Sequence, residues 1–228
     1  MHRMPIEAII FDCDGTLVDS EPLGFAAMVL TARDCGIEVA SDDELLHLTG
    51  QSMTSCLQAL ERMYGRVLPT DFEARVRERM SENFRSELRV IEGAAELLTG
   101  LNVPFCVASN GPLSKMDLTL GITGLLPYLE GRIFSAYEVG SWKPDPGLFL
   151  HAAAAMGVSP QSCAVVEDSV SGMRAGLAAG MHVFAFHPPE SLADDLKDRV
   201  EVLHRLTDLL AMPWNQRSPI HESTVPIR

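Results

Sequence analysis

The chain has 228 residues, of which 46% are hydrophobic and 21% are charged, and its formal net charge at pH 7 is −13. This length can hold one large domain, or a core domain with a smaller insert, around a sizeable buried core. The acidic balance argues against a nucleic-acid partner, which would need a basic face. No apolar run approaches the ~20 residues of a membrane span, and the start of the chain lacks the apolar centre of a signal peptide, so we expect no membrane partner and a cytoplasmic location.

The five cysteines are scattered along the chain, and none belongs to a C-x-x-C pair, which predicts reduced thiols. Cys56 and Arg62 have the spacing of a thiol-phosphatase loop. The residues between them contain no glycine and are amphipathic, so a helix is the favoured interpretation. A phosphate cradle needs backbone N–H groups that are free of helical hydrogen bonds.

An apolar run at residues 6–11 leads directly into Asp12, Asp14 and Gly15. Such a run is typical of a central parallel strand, and open parallel sheets bind ligands outside the carboxyl ends of their strands. Side chains two residues apart point to the same side of an extended backbone, so Asp12 and Asp14 can converge on one atom. Mg²⁺ is the natural candidate because it takes one or two carboxylates and neutralises their repulsion. A capped turn is the alternative for an isolated motif of this kind.

Residues 18–88 carry helical patterns without a strand pattern, which predicts a helical cap inserted into a core that is formed by residues 1–17 and 89–228. Helix starts are predicted at Ser20 and at the capping-box pattern of Ser41 and Glu44, which precedes an apolar stretch at residues 45–48. Two more helices follow from apolar residues at helical spacing: Met53, Leu57, Leu60 and Met63, then Phe72, Val76, Met80 and Phe84.

The methionines of this insert are interpreted mainly as interior packing, with a substrate pocket as the alternative. Its arginines alternate with glutamates, which predicts a solvated, ion-paired helix face. One arginine could still reach a substrate carboxylate or phosphate. The arginines concerned are Arg75, Arg77, Arg79, Arg85 and Arg89.

From residue 92 onward, helical and strand patterns alternate, which predicts a doubly wound (Rossmann-like) α/β core with a parallel sheet. The expected strands lie at 104–108, 132–134, 163–166 and 182–186, and the expected helices at 94–101, 112–120 and 145–156. Gly172, Gly176 and Gly180 recur every four residues, which favours close packing of a helix on the sheet over a dinucleotide loop. Leucines at 203–210 predict a last short helix, and the run after Trp214 is expected to be loose.

Four stretches resemble, in order, the motifs of the haloacid dehalogenase superfamily, and each follows or precedes the expected local structure. The chain is therefore identified as a member of this superfamily by resemblance. The stretches are Asp12-Cys13-Asp14-Gly15-Thr16-Leu17-Val18-Asp19-Ser20, Val107-Ala108-Ser109-Asn110, Lys143-Pro144-Asp145-Pro146, and Val165-Val166-Glu167-Asp168-Ser169 followed by Gly172.

The resemblance implies a phosphoaspartate mechanism with Mg²⁺ as cofactor. By this resemblance Asp12 is the nucleophile, and Asp14 is the general acid and base and also a metal ligand through its backbone carbonyl. Lys143 steadies the nucleophile and the phosphoryl charge. Asp168 binds the metal together with Asp12, and Glu167 acts through a metal-bound water.

Ser109 and Asn110 are interpreted as phosphate-binding residues, because they follow a predicted strand where a hydroxyl and N–H groups are available. A plain helix cap ahead of Pro112 is the alternative. For Lys143, the alternative is a surface lysine before a proline-rich cap.

Within the superfamily, the cap position and the Lys143-Pro144-Asp145-Pro146 run resemble the group of β-phosphoglucomutase-like phosphatases. An acid at Asp14 argues against dehalogenation. Mutases of this group carry a histidine where this chain has Gly24 and an arginine where it has Met53, so a phosphatase is favoured over a mutase. This resemblance implies a small sugar or sugar-acid phosphate as substrate. Further runs resemble those of family phosphatases that act on 6-phosphogluconate, so this substrate is favoured: Ser109-Asn110-Gly111-Pro112, Lys115-Met116 and Ser141-Trp142-Lys143-Pro144-Asp145-Pro146. A monomer is favoured over a dimer. A catalytically silent phosphate-binding protein is the other alternative.

Overall fold

The computed structural model describes residues 5–39, 52–188 and 192–216. Its strands are β1 (Ala8–Phe11), β2 (Phe105–Ser109), β3 (Ile133–Ser135), β4 (Cys163–Glu167), β5 (His182–Phe186) and β6 (Glu201–Leu203). Its helices are α1 (Glu21–Asp34), α2 (Met53–Tyr64), α3 (Phe72–Glu87), α4 (Ala94–Gly100), α5 (Leu113–Ile122), α6 (Ala136–Val139), α7 (Gly147–Ala155) and α8 (Val170–Ala178).

The six strands form one parallel sheet in the order β3-β2-β1-β4-β5-β6. All four residues of β1 are fully buried, as expected for an apolar strand with neighbours on both sides and helices on both faces. Alternate residues of β1 feed two separate cores: Ile9 and Phe11 pack on one face, and Ala8 and Ile10 on the other. The predicted α/β class with a parallel sheet is confirmed.

Helices α1, α2 and α3 form a third apolar cluster, which includes Met28, Leu60, Phe72 and Val76. The helical spacing predicted for α2 and α3 is confirmed, and Cys56 lies inside α2, where burial raises the pKa of its thiol to about 11. The predicted capping box at Ser41 and Glu44 and the apolar stretch at 45–48 lie outside the described residues.

The helical insert leaves and re-enters the core at one place. Asp19 N–H donates to the Arg89 carbonyl at 3.0 Å, and Ile91 N–H donates to the Leu17 carbonyl at 2.9 Å. These two bonds tie the outgoing and returning segments together beside the end of β1. They support the proposed division between a core and a cap near residues 17 and 89.

The end of the described chain differs from the sequence prediction. Leu203 ends the sixth strand, β6, and only the leucines at Leu206–Ala211 form a short 3₁₀ turn. A three-residue strand at a sheet edge is too short to produce a clear alternating pattern. Of the run after Trp214, which is expected to be loose, residues 217–228 lie outside the described residues. Asn215, at its start, is buried, and its side chain accepts a 2.7 Å hydrogen bond from Asn102 N–H. The described helices include none that is both long and apolar enough to cross a membrane.

The glycine series after β4 has two functions rather than one. Gly172 and Gly176 are buried on α8, where an added Cβ would meet the side chains of Glu167 and Val183, so the predicted close packing is correct for both. Gly180 is exposed and has φ +75°, a left-handed conformation that favours glycine after the end of a helix. Its place in the four-residue repeat therefore reflects a turn, not helix packing.

Candidate active site

The candidate site lies at the carboxyl edge of the sheet, where three neighbouring strands end. Asp12 directly follows β1, Ser109 is the last residue of β2, and Asp168 directly follows β4. Asp12 N–H also donates to the Val166 carbonyl at 3.0 Å, which continues the β1–β4 ladder up to the site. Parallel pairing thus brings together residues that are far apart in the chain.

Lys143 lies at the centre of this edge. Its side chain is only 2% exposed, and its Nζ donates to Asp12 Oδ1 at 2.5 Å and to Glu167 Oε1 at 2.6 Å. The pKa of Lys143 is raised, because the two carboxylates outweigh the effect of burial, which lowers it. A surface position is therefore wrong for this lysine: it is a buried cation between two acids.

The carboxylates of Asp12, Glu167 and Asp168 form a cluster in which one oxygen from each lies within 4.8 Å of the others. Burial and the nearby Glu167 raise the pKa of Asp168 well above its ordinary value. Burial also raises the pKa of Asp12 to about 7, although contact with Lys143 opposes this change. The negative charge of these three carboxylates exceeds the positive charge of Lys143. Such a group of hard oxygen donors suits a divalent cation such as Mg²⁺.

Glu167 is fully buried and both of its carboxylate oxygens already have protein partners. Oε1 accepts from Lys143, and Oε2 accepts from the Ser169 hydroxyl at 2.8 Å and from Ser169 N–H at 3.0 Å. Ser169 in turn caps α8, since its hydroxyl accepts from Gly172 N–H at 3.1 Å. This arrangement agrees with an indirect contact of Glu167 to a metal.

The Asp14 carboxylate lies in the same cleft but has other partners. It accepts from the Ser20 hydroxyl and forms an ion pair with Lys115, whose Nζ is 2.8 Å from Oδ1. Burial raises the pKa of Asp14, but the contacts with Lys115 and Ser20 are stronger and the net pKa is lowered. The side chain is thus separate from the three-carboxylate cluster and lines the cleft from the loop between β1 and α1.

Ser20 stands at the N-cap position of α1, as predicted, but its side chain makes no capping hydrogen bond. Its hydroxyl binds Asp14 instead, so the residue links the start of the helix to the candidate acid and base. The prediction of a helix boundary is correct, and the expected local function of the hydroxyl is wrong.

Ser109 and Asn110 do not cap the following helix. The residue before α5 is Pro112, and no side chain caps that helix. The Ser109 hydroxyl, which is buried, accepts from Gly111 N–H at 3.0 Å. Asn110 Oδ1 accepts from Lys143 N–H at 2.9 Å, so Asn110 fixes the loop that carries the central lysine. Both residues line the cleft.

Three further charged residues of the cleft were not assigned from sequence. Lys115 lies in the first turn of α5, and the small number of lysines in the chain, together with its place just after the end of β2, could have identified it. Glu21 lies in the first turn of α1, and burial raises its pKa to about 7. Arg77 projects from α3 toward the cleft, and no pattern within the alternating arginines distinguishes it.

The cap supplies the opposite wall of the cleft, which contains about 900 Å³ of space that is partly open to solvent. Met28, Met53 and Met80 line it and also pack in the apolar cluster of the cap. The predicted interior packing is confirmed for these three methionines, and their place in a substrate pocket stays a prediction. Met63, in contrast, is exposed.

The parallel sheet, the helical insert and the acidic edge with its buried lysine define a class of enzyme, and the sequence agrees. The chain belongs to the haloacid dehalogenase-like hydrolase family, whose model matches residues 6–180. The family expected from the four motifs is confirmed, and with it a hydrolase.

Individual relatives include two curated enzymes of Escherichia coli. The chain is 41% identical to 6-phosphogluconate phosphatase over 182 aligned residues, and this alignment covers 79% of this chain and 82% of the relative. It is 31% identical to hexitol phosphatase A over 210 aligned residues, and this alignment covers 90% of this chain and 94% of the relative. Among solved structures, a family hydrolase of Deinococcus radiodurans with bound phosphate and sodium has a TM-score of 0.72 and 32% identity, and covers 90% of this chain and 93% of its own.

Proposed function

We propose that the chain is a Mg²⁺-dependent phosphatase of small sugar or sugar-acid phosphates, with 6-phosphogluconate favoured, acting as a cytoplasmic monomer through a phosphoaspartate on Asp12. The observation that carries this proposal is the buried contact of Lys143 with both Asp12 and Glu167 beside Asp168. A lysine in this position holds a carboxylate nucleophile in place and offers positive charge to a phosphoryl group.

Asp12 and Asp168 would hold Mg²⁺, together with the backbone carbonyl of Asp14, and Glu167 would act through a bound water. When bound, the cation supplies charge neutralisation for the phosphoryl oxygens and the attacking carboxylate. The donor set fits, because it consists of carboxylate oxygens within 4.8 Å of one another. Ser109 and Asn110, at the end of β2 on the other side of β1 from Asp168, would bind the remaining phosphate oxygens.

In the first step, a carboxylate oxygen of Asp12 attacks phosphorus and the ester P–O bond breaks. Asp14 donates its proton to the departing sugar oxygen, so that a neutral hydroxyl leaves. Lys143 keeps the attacking carboxylate oriented and ionised throughout this step. The cap would cover the cleft and limit the access of bulk water.

In the second step, a water molecule attacks the phosphorus of the phosphoaspartate. Asp14, now ionised, takes a proton from that water, and the acyl phosphate P–O bond breaks to release phosphate and restore Asp12. Contact with Lys115 and Ser20 favours the ionised form of Asp14 that this step requires. One side chain thus serves both steps with opposite protonation.

A phosphosugar mutase is less well supported. A mutase must hold a bisphosphate intermediate and turn it within the cleft, which requires groups positioned for a second phosphate. The positions compared with those of mutases carry Gly24 and Met53 in this chain, and both line the cleft. Neither offers a hydrogen bond or a charge to a phosphate, so water is the better acceptor.

The proposal is tested by measuring inorganic phosphate and glucose 1,6-bisphosphate as products over a panel of sugar phosphates, with Mg²⁺ and with a chelator. A phosphatase releases phosphate only when Mg²⁺ is present and forms no bisphosphate from β-glucose 1-phosphate. Bisphosphate formation would identify a mutase. Binding of phosphate without turnover of any substrate would identify a silent binding protein.

A further inference from the structure

The cap side of the cleft carries one charged side chain among the described residues of α2 and α3. These helices contribute Met53, Cys56, Arg77 and Met80 to the lining of the cleft. Met53, Cys56 and Met80 are apolar or weakly polar, so Arg77 is the charged lining residue of these two helices, while α1 contributes Glu21 to the same cleft.

Arg77 has partners that a ligand could replace. Its Nε and Nη2 both donate to Glu73 Oε1, at 2.8 and 2.7 Å, and Nη2 also donates to the Tyr137 hydroxyl at 3.2 Å. Glu73 lies one turn earlier on α3, and the Arg77 and Glu73 side chains are 33% and 42% exposed. An ion pair of this kind, between neighbouring turns of a helix, contributes little to stability. Within the described chain, no hydrogen bond uses Nη1 of Arg77.

The other two cations of the cleft are committed to the acids of the site. Lys143 lies between Asp12 and Glu167, and Lys115 is paired with Asp14 and is only 21% exposed. Neither can move to a second anionic group without leaving a carboxylate of the site unpaired, which is costly for buried charges. Arg77 is therefore the cation of the described cleft that can accept a further anion.

We propose that Arg77 binds a carboxylate at the end of the substrate remote from the phosphate, and that it thereby selects sugar-acid phosphates over neutral sugar or hexitol phosphates. This inference rests on the proposed phosphatase function. A planar guanidinium forms paired, charge-assisted hydrogen bonds to a carboxylate, which a hydroxyl group cannot reproduce. Glu73 would turn outward to solvent when the substrate carboxylate takes its place.

The test compares 6-phosphogluconate with glucitol 6-phosphate, because these substrates differ only in a terminal carboxylate in place of a hydroxymethyl group. In Arg77→Met, kcat/KM for the acid is expected to fall by about 10- to 100-fold, mainly through KM, since charge-assisted hydrogen bonds are lost. The value for the hexitol phosphate should change by less than about twofold, because this substrate has no carboxylate with which Arg77 forms a charge-assisted hydrogen bond. Arg77→Lys should retain part of the preference for the acid.

Two matched variants separate recognition from a structural effect. Arg79→Met removes the same charge from the same helix, at a residue that pairs with Asp34 at 2.7 Å outside the cleft, and should leave both substrates unaffected. Tyr137→Phe removes the contact between Arg77 and the core while keeping the guanidinium, and should leave the substrate preference unchanged.

Equal losses for both substrates in Arg77→Met, or an unchanged value for the acid, would overturn the inference while leaving the phosphatase function intact. Wild type that hydrolyses the hexitol phosphate but is neither active on nor inhibited by the acid would do the same. Wild type that releases no phosphate from either substrate or from p-nitrophenyl phosphate would instead refute the proposed function, and the inference with it.

Discussion

Lys143 joins acids that come from two different strands, and its burial makes it important for both stability and chemistry. Without its charge, Asp12 and Glu167 would face each other in a region that excludes water. Removing one partner of a buried ion pair is more costly than the pair itself is stabilising, because the remaining charge keeps its desolvation penalty.

Lys143→Met should lower the free energy of unfolding of the metal-free protein by about 3–5 kcal/mol. It should also lower kcat/KM by at least about 100-fold, because the developing phosphoryl charge loses its cation. Denaturant unfolding and phosphate release measure the two effects. The double variant with Glu167→Gln should regain part of the stability but none of the activity, and full stability in the single variant would contradict this account.

Lys115 is a positioning residue in this account, because its ammonium group is paired with Asp14 and would act on the reaction through that carboxylate. Lys115→Met should lower kcat for acid and hexitol phosphates by the same factor, about tenfold. It should also move the low-pH limb of kcat to higher pH, since the contact with Lys115 lowers the pKa of Asp14 and the second step needs Asp14 ionised. A pH profile measured on both substrates checks this, and a change in substrate preference would contradict it.

At the scale of elements, α8 shows how a helix supports the site. Its cap, Ser169, binds Glu167, and Gly172 in its first turns lets the helix lie against the Glu167 carboxylate. A Cβ at Gly172 would overlap the Glu167 carboxylate, so this buried, charged side chain would have to move. The glycine is thus part of what holds Glu167 toward Lys143.

Gly172→Ala should destabilise the protein by about 1–3 kcal/mol through overpacking, and should reduce activity by displacing Glu167 from Lys143. Gly121→Ala is a suitable control, because Gly121 is also helical and the nearest atom to its added Cβ is Leu126 Cδ2 at 3.9 Å. The control should be as stable as wild type or more stable, since alanine favours a helix. Thermal unfolding and phosphate release compare the two, and equal behaviour would refute the packing argument.

The sequence was sufficient for most elements but not for β6 or for the partners of polar side chains. Strand ends such as Asp12 and Asp168 are predictable because buried strands have a strong apolar signature and their carboxyl ends meet at one edge. The contacts of Asp14 with Ser20 and Lys115 depend on how α1 and α5 pack on the sheet. Local patterns do not contain that information, and for the same reason Arg77 could not be distinguished from its neighbours.

At the scale of the whole molecule, an acidic chain concentrates several carboxylates around one cleft. Burial raises the pKa values of both Asp12 and Glu21 to about 7. In the unfolded chain, the pKa of each carboxyl group would be about 4. Between these values the folded protein binds more protons than the unfolded chain. The free energy of unfolding of the metal-free protein therefore falls as pH rises through this window.

The melting temperature of the chelator-treated protein should accordingly fall from about pH 5 to about pH 8. The fall should be shallower in Asp12→Asn, which removes one titrating group, and unchanged in Asp34→Asn, whose carboxylate is exposed and outside the cleft. Mg²⁺ should also reduce the fall by stabilising the ionised carboxylates. Parallel curves for wild type and Asp12→Asn would show that Asp12 does not cause it.

The most direct test of the central claim is the rate of phosphate release from 6-phosphogluconate with Mg²⁺, measured for wild type and Asp12→Asn at equal folded concentration. The asparagine is nearly the same size and leaves the Lys143 loop in place, but it cannot attack phosphorus as a carboxylate does. We predict release by wild type and loss of at least about 1,000-fold in the variant. Release by the variant at a rate close to that of wild type would contradict a phosphoaspartate on Asp12.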